Sequence, residues 1–507
     1  MGRPALPPCR FHSVLIPASA FVPAFFRALL AAFLACAFAA APASAAPAVA
    51  PSLSPCWLKG VDQALSCGRL PQPEDPDAPA GRSISIGFAI SPAAARTRHD
   101  DPIFVFAGGP GQAATDTAAT VQGIFSRLNA GRDIVYVDLR GTGRSNALSC
   151  RPRDHGEDLA GNLDPTPAAN ENAASVDKLG ADLRQYATWI AVRDVDAIRA
   201  ALGYERINLW GASYGSRAAL EYLRQYPHHV RSLVLDGAVG PELRLPASGG
   251  RDTDNALTAI ESRCAHDTAC ARQYPALPAA IDQLLGTANG AVATLVADPI
   301  SGRQTTWTLD RATLGAALRT PLYLAETAAL VPHAVTAAAR NDFGPLAALN
   351  ASVQQQAGDD FAEALHFAVV CAEDLPRITP AEREAARATR FGTAFIERYD
   401  AACAVIPVRP VPAGFYTLPA VEVPALVLSG GADPVTPPRY GDAVSRGLLL
   451  ARHLIAPNLG HGVSAHGCAP ELITRFIGQA GFDGIDDSCL DKIPAPPFFV
   501  AAGAERR

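Results

Sequence analysis

From Ser83 to Ser91 the chain alternates as Ser-Ile-Ser-Ile-Gly-Phe-Ala-Ile-Ser, and a period of two predicts an early strand with one apolar face. Short apolar runs recur at Ile103 to Phe106, Ile134 to Val137, Ile207 to Trp210, Leu233 to Leu235, Leu426 to Leu428 and Leu454 to Ile455, each ending near Gly, Asp, Asn or Pro. Strands covered on both faces need such runs. With helical segments between them, they predict a doubly wound, mostly parallel α/β sheet. Val176 to Leu202, with charged and apolar residues at helical spacing, leads into Ile207 to Trp210, and the helix-like Ser216 to Tyr226 follows it.

The regularity breaks between about Gly240 and Leu418. Here the chain turns alanine-rich, with helix-like stretches at Leu277 to Leu285, Ala325 to Ala339 and Phe361 to Val370; Pro332 should kink or divide the second of these. A gap this long exceeds a simple crossover. It reads as a helical cap inserted over the carboxyl ends of the strands, where such sheets carry their ligands. An independent second domain with no part in the site is the other reading. The expected organisation is a leader over 1–45, core over 46–240, cap over 241–418 and the rest of the core over 419–507, with no internal repeat.

Composition narrows the picture. A chain of 507 residues, 49% hydrophobic and 18% charged, can bury a large core, and a formal charge of -6 with dispersed basic residues argues against a nucleic-acid partner. The first 45 residues are different: Arg3, Arg10 and Arg27, then the apolar run Ala28 to Ala40, then small residues ending in Ala43-Ser44-Ala45. That is the pattern of a cleaved export signal. The apolar run falls short of the roughly 20 residues of a membrane span, and Phe33-Leu34-Ala35 before Cys36 is a poor lipidation signal. Cleavage would leave nine of the eleven cysteines in a periplasmic or extracellular compartment, where disulfides persist. Nearest neighbours in sequence pair Cys56 with Cys67, Cys264 with Cys270, Cys371 with Cys403 and Cys468 with Cys489, leaving Cys150 over. Zinc is the competing use, but the chain has no C-x-x-C or H-E-x-x-H. No metal or other cofactor is expected.

The candidate chemistry starts at Gly211-Ala212-Ser213-Tyr214-Gly215, placed directly after a strand and before a helix. Glycines on both flanks allow a tight turn that leaves the Ser213 hydroxyl standing above the sheet. A serine hydroxyl needs a base, itself oriented by a carboxylate. Asp433 follows the run Ala425 to Ala432, and His461 lies in Gly460-His461-Gly462 after the strand-like His453 to Pro457. The order Ser, Asp, His is that of the α/β hydrolases. His466 is a rival base without the preceding strand or the flanking glycines, and His228 and His229 should lie at the surface. The oxyanion of acyl transfer needs backbone donors: Tyr214 N–H, and a second from the loop Ala107-Gly108-Gly109-Pro110-Gly111-Gln112. In Asp138 to Ser145, Asp138 and Arg140 are expected to fix loops; a hold by Arg140 or Arg144 on a substrate carboxylate is the alternative.

Gly108-Gly109-Pro110-Gly111, Asp138-Leu139-Arg140-Gly141-Thr142-Gly143-Arg144-Ser145, Gly211-Ala212-Ser213-Tyr214-Gly215-Ser216 and Asp433-Pro434-Val435-Thr436-Pro437 together resemble the prolyl iminopeptidase and tripeptidyl aminopeptidase family of α/β hydrolases. Cys468 to Cys489 is similar to the carboxyl-terminal region of the tripeptidyl branch. The resemblance implies a serine peptidase with Ser213 as nucleophile, Asp433 as orienting acid, His461 as base, and Gly109 and Tyr214 as oxyanion donors. It departs at Ala107, where many members have histidine, and at Cys150, whose usual partner is missing. Cleavage at a free amino terminus calls for carboxylates to hold an ammonium. Glu373 and Asp374 are the acidic candidates, a solvated helix end being the alternative. Relatives also include carboxylesterases, so the substrate is a peptide or a small ester.

Overall fold

The computed structural model describes residues 51–149, 180–288, 290, 292–298, 301–357 and 361–501. The leader over 1–45 and Cys150 lie outside them. Nine strands form one sheet: β1 (Ser54–Cys56), β2 (Leu65–Pro73), β3 (Ser83–Ser91), β4 (Ile103–Phe106), β5 (Ile134–Val137), β6 (Ile207–Ala212), β7 (Val230–Asp236), β10 (Ala425–Gly430) and β11 (Ala451–Ala456). Their order is β1-β2-β3-β5-β4-β6-β7-β10-β11. Everything from β5 to β11 is parallel, and β1, β2 and β3 add an antiparallel edge.

The uninterrupted apolar runs have a direct cause. Leu209, Leu233, Leu235 and Val427 pack on one face of the sheet with the helices Thr188–Ala201 and Tyr214–Gln225. Their neighbours Trp210, Val234, Leu426 and Leu428 pack on the other with the helices Ala118–Asn129 and Ala469–Gln479. Successive side chains point to opposite faces, and both faces are covered. Each such side chain contributes roughly 1.5 to 3 kcal/mol by leaving water. The central place of β6, between β4 and β7, puts residue 213 at the middle of the carboxyl edge.

Between β7 and β10 the described residues add no strand to this sheet. They build helices with their own apolar cluster, which includes Leu257, Ile281, Trp307, Leu318 and Phe391. The insertion is not purely helical, as the alanine bias had suggested. β8 (Val292–Ala297) and β9 (Gln304–Leu309) form an antiparallel hairpin. The alternation Thr-Trp-Thr-Leu drives it, burying Trp307 and Leu309 while Thr308 stays exposed. At Pro332 the helix-like stretch Ala325 to Ala339 is divided rather than kinked. The proline sits in the first turn of Val331–Ala338, after a separate short helix Ala325–Ala328, the position where its missing N–H is tolerated.

All four expected disulfides are present, Cys56–Cys67, Cys264–Cys270, Cys371–Cys403 and Cys468–Cys489. Cys371–Cys403 joins the helices Glu363–Glu373 and Ala394–Cys403 across 32 residues, a closure worth about 3 to 4 kcal/mol on the chain-entropy account. Among the described residues, no helix is long and apolar enough to cross a membrane.

Candidate active site

Ser213 takes φ 54° and ψ -125°, a conformation that a non-glycine residue holds only when its surroundings enforce it. The enforcement is steric and hydrogen-bonded. A Cβ on Gly211 would stand 2.3 Å from the Gly215 carbonyl oxygen, and one on Gly215 would stand 2.1 Å from that of Phe106. No side chain fits at either flank. The Ser213 N–H donates to the Asp236 carbonyl at 2.8 Å, and the Ser213 carbonyl accepts from the Ser216 hydroxyl at 2.5 Å.

Asp433 leaves β10 in a turn closed by its own side chain. Its Oδ1 accepts the N–H groups of Val435 and Thr436, each at 2.8 Å, while Oδ2 faces the Thr436 hydroxyl and His461 Nδ1, each at 2.7 Å. A carboxylate only accepts, so Nδ1 of a neutral His461 carries the proton and Nε2 keeps its lone pair. Burial opposes charge on both partners. The ion pair and its hydrogen bonds outweigh burial, holding Asp433 below the usual carboxylate range and raising His461 above its ordinary value, with Asp236 adding to the latter.

Asp236 fastens the two halves together. Besides receiving the Ser213 N–H on its carbonyl, it receives the N–H groups of Val463 and Ser464 on its carboxylate, at 2.8 to 3.0 Å. The turn at Ser213 and the loop carrying His461 therefore hang on one residue. A Cβ on the next residue, Gly237, would be 3.0 Å from His461 Cε1. Among the described residues no hydrogen bond yet joins the Ser213 hydroxyl to His461, whose side-chain bonds run through Nδ1 to Asp433 and Thr436. Such bonds commonly tighten only once substrate is bound.

The glycine loop lies against the same point. A Cβ on Gly108 would be 3.2 Å from Ser213 Cβ, and Gly109 has φ 112° with a cis bond to Pro110. The insertion braces this loop from outside: Ala362 N–H donates to the Gly111 carbonyl at 2.9 Å, and His366 Nδ1 donates to that of Pro110 at 3.0 Å. His366 Nε2 must then accept, and the Tyr399 hydroxyl donates to it at 2.7 Å. Burial, with Arg398 and Arg319 nearby, pushes His366 down to about 4, so it braces as a neutral ring. Tyr323 closes the opposite side, its carbonyl accepting His461 N–H at 2.7 Å and its ring edge-on to the imidazole at 5.2 Å.

Glu373 and Asp374 are neither a solvated helix end nor an open acidic pocket. Both are fully buried. Glu373 accepts the N–H and hydroxyl of Thr188 at 2.8 and 2.9 Å, and Asp374 accepts two bonds from Arg217 at 2.9 and 3.1 Å. Arg217 belongs to the helix that starts at Tyr214, and the Tyr214 and Thr188 hydroxyls are 2.7 Å apart. As they stand, these carboxylates present no free oxygen to an ammonium; they anchor the helix behind Ser213. Burial pushes Glu373 from 4.5 up to about 7, against the opposing pull of Arg217 and Thr188. The folded protein thus holds this proton more tightly than the unfolded chain. The stability it lends is complete below about pH 4.5 and is lost as pH rises toward about 7. In Glu373→Gln, thermal melts across that range should show a flatter dependence of Tm on pH, and an unchanged slope would contradict this.

Arg140 has the structural place expected of it, paired with Asp194 at 2.7 and 2.8 Å and bonded to the carbonyls of Glu74 and Gln185. Asp138 ties Thr115 to Arg144 N–H. His228 is exposed, whereas His229 is half-buried with Nδ1 2.8 Å from Asp196. Sequence reasoning missed Asp236, Tyr323 and His366. Asp236 had a signal, since like Asp138 and Asp433 it ends a short apolar run; the other two lie in the insertion, where no strand marks the register.

Residues 101–259 match the α/β hydrolase fold family, so the molecule is an α/β hydrolase in fold. Residues 387–489, which include Asp433 and His461, match a family described as TAP-like protein. Similar curated proteins are the serine protease Hip1 of Mycobacterium tuberculosis, 31% identical over 225 residues (40% of this chain, 42% of that protein), and the tripeptidyl aminopeptidase of Streptomyces lividans, 29% identical over 198 residues (36% of each). A proline iminopeptidase of Xylella fastidiosa is 31% identical over 139 residues (27% of this chain, 33% of that protein). The matches span less than half the length of these relatives.

Proposed function

We propose that this chain is an exported serine hydrolase, an aminopeptidase that releases residues or short peptides from a free amino terminus. The observation that carries the reading is the attachment of the Ser213 turn and the His461 loop to Asp236, with His461 held by Asp433. His461 Nε2 takes the Ser213 proton as the hydroxyl attacks the carbonyl, and the oxyanion forms against the N–H groups of Tyr214 and Gly109. The imidazolium then protonates the leaving amine, and water repeats the cycle on the acyl-enzyme. The leader pattern over 1–45 and four disulfides support export. The segment 241–418 acts as the cap between the two parts of the core.

A carboxylesterase of the same fold is the second reading. It is favoured by one observation: Glu373 and Asp374 are spent on Thr188 and Arg217 rather than open to an ammonium. A fluorogenic panel of proline, alanine and tripeptide substrates with free and blocked amino termini separates the two. Cleavage confined to free termini is expected. Equal cleavage of blocked peptides sinks the aminopeptidase reading, and hydrolysis of simple acyl esters alone selects the esterase.

A further inference from the structure

We propose that Arg319 and the Tyr323 hydroxyl form a subsite for a carboxylate on the substrate, so that the preferred substrate carries an acidic group close to the cleaved bond. The proposal rests on the acyl-transfer reading above and names the substrate class for it.

Helix Arg311–Arg319 runs straight into the 3-10 turn Thr320–Tyr323. Arg319 ends the helix and Tyr323 ends the turn, so the two are about one turn apart along the chain. Tyr323 is the residue that touches His461 through both its carbonyl and its ring, so Arg319 stands one turn from the candidate base. Its charge acts on Tyr323, His366 and Tyr399, and the last two are bonded to each other.

Among the described residues Arg319, like Arg263 and Arg377, has a guanidinium nitrogen without a hydrogen-bond partner and no carboxylate beside it, but it is the one on the segment that leads to Tyr323. Arg140, Arg217 and Arg390 are each paired with carboxylates at 2.5 to 3.1 Å. Among the described residues Arg319 has no ion pair, and its buried Nε has no hydrogen-bond partner. The guanidinium lies 5.2 Å over the Phe395 ring, and a Cβ on Gly249 would come within 3.3 Å of Nη1; α-helix and ring hold it in place without neutralising it. The Tyr323 hydroxyl is likewise without a partner among the described residues. Leaving a buried donor unsatisfied is costly, and two unused donors one turn apart beside a nucleophilic site match what a carboxylate accepts.

The polarity also bears on substrate length. With Glu373 and Asp374 withdrawn and Arg319 uncompensated, a free ammonium on the residue that is attacked would meet repulsion. A longer amino-terminal peptide with an aspartate or glutamate near the bond meets attraction.

Activated esters test the subsite without requiring peptidase activity. The p-nitrophenyl monoester of glutaric acid and p-nitrophenyl butyrate differ in one terminal carboxylate, and their kcat/KM ratio is measured for the wild type, Arg319→Gln, Arg319→Lys and Tyr323→Phe. Loss of a charge-assisted hydrogen bond corresponds to about a 10-fold to 100-fold change, so the ratio is expected to fall by that factor in Arg319→Gln, less in Arg319→Lys and least in Tyr323→Phe. Fluorophosphonate labelling at the wild-type rate shows that each Arg319 variant keeps an intact site. Equal ratios in labelled wild type and Arg319→Gln overturn the subsite alone, whereas a wild type that does not label overturns the acyl-transfer reading and the subsite with it. Matched glutamate and glutamine peptides should then show the same preference.

Discussion

Changing Ser213 or His461 to alanine is expected to lower kcat by about a millionfold, and changing both should cost little more than either alone. The reason is that neither residue has a separate task. A hydroxyl without a base is a weak nucleophile, and a base without the hydroxyl has nothing to activate. The structure makes the test clean, because both side chains project from backbone held by Asp236 and by glycines at 211, 215 and 237; truncating either leaves that backbone in place. Single-turnover measurements on an activated ester, with Tm as a control for folding, give the four rates of the cycle. Losses that add would show that the two residues act independently and that the assignment is wrong. A residual rate above that of water alone is expected from the oxyanion donors.

Asp433→Asn should lower kcat by about 10,000-fold, and the structure says why an isosteric change does so much. Oδ1 is claimed by two backbone N–H groups, those of Val435 and Thr436. An asparagine must keep its oxygen there, so its NH₂ takes the Oδ2 place and faces His461 Nδ1. An NH₂ group donates, so Nδ1 must accept, and the proton moves to Nε2, where it blocks removal of the serine proton. The pH profile carries a second signature. Asp433 raises the His461 value above its ordinary 6.5, and the imidazole works as a base only when neutral. In the wild type kcat/KM should therefore fall, as pH is lowered, with a midpoint above 6.5. In Asp433→Asn that midpoint should move to lower pH, because burial then acts without the opposing carboxylate. A midpoint unchanged by the substitution would mean that another group sets the limb.

Much of the core was legible from pattern alone. β4 and β5 have the bounds their apolar runs indicate, because strands buried on both faces leave no polar residue to blur their ends, and β3 has those its alternation indicates. Ser213, Asp433 and His461 were legible for a related reason: each follows a strand, and strand ends in a parallel sheet converge on one edge. The antiparallel strand β2 was missed, since Leu65–Pro73 mixes Arg69 and Gln72 with prolines and is buried only in part. The Glu373–Asp374 pair shows a different limit. Two adjacent acids at a helix end read as an ammonium site or as solvated, and nothing nearby in sequence announces Arg217, 156 and 157 residues away. The unpaired state of Arg319 is equally a property of three-dimensional neighbours and has no local signature.

The brace on the glycine loop has a consequence for timing. Ala362 and His366 belong to the insertion, yet their donors end on the carbonyls of Gly111 and Pro110 in the core. If this segment swung away as a rigid lid to admit substrate, it would take both bonds off the loop that is to receive the oxyanion. An open molecule would then be a poor catalyst even with Ser213, His461 and Asp433 in register. Admission and reaction would then exclude one another, so a bulky or badly seated substrate would be rejected as slow chemistry rather than as weak binding.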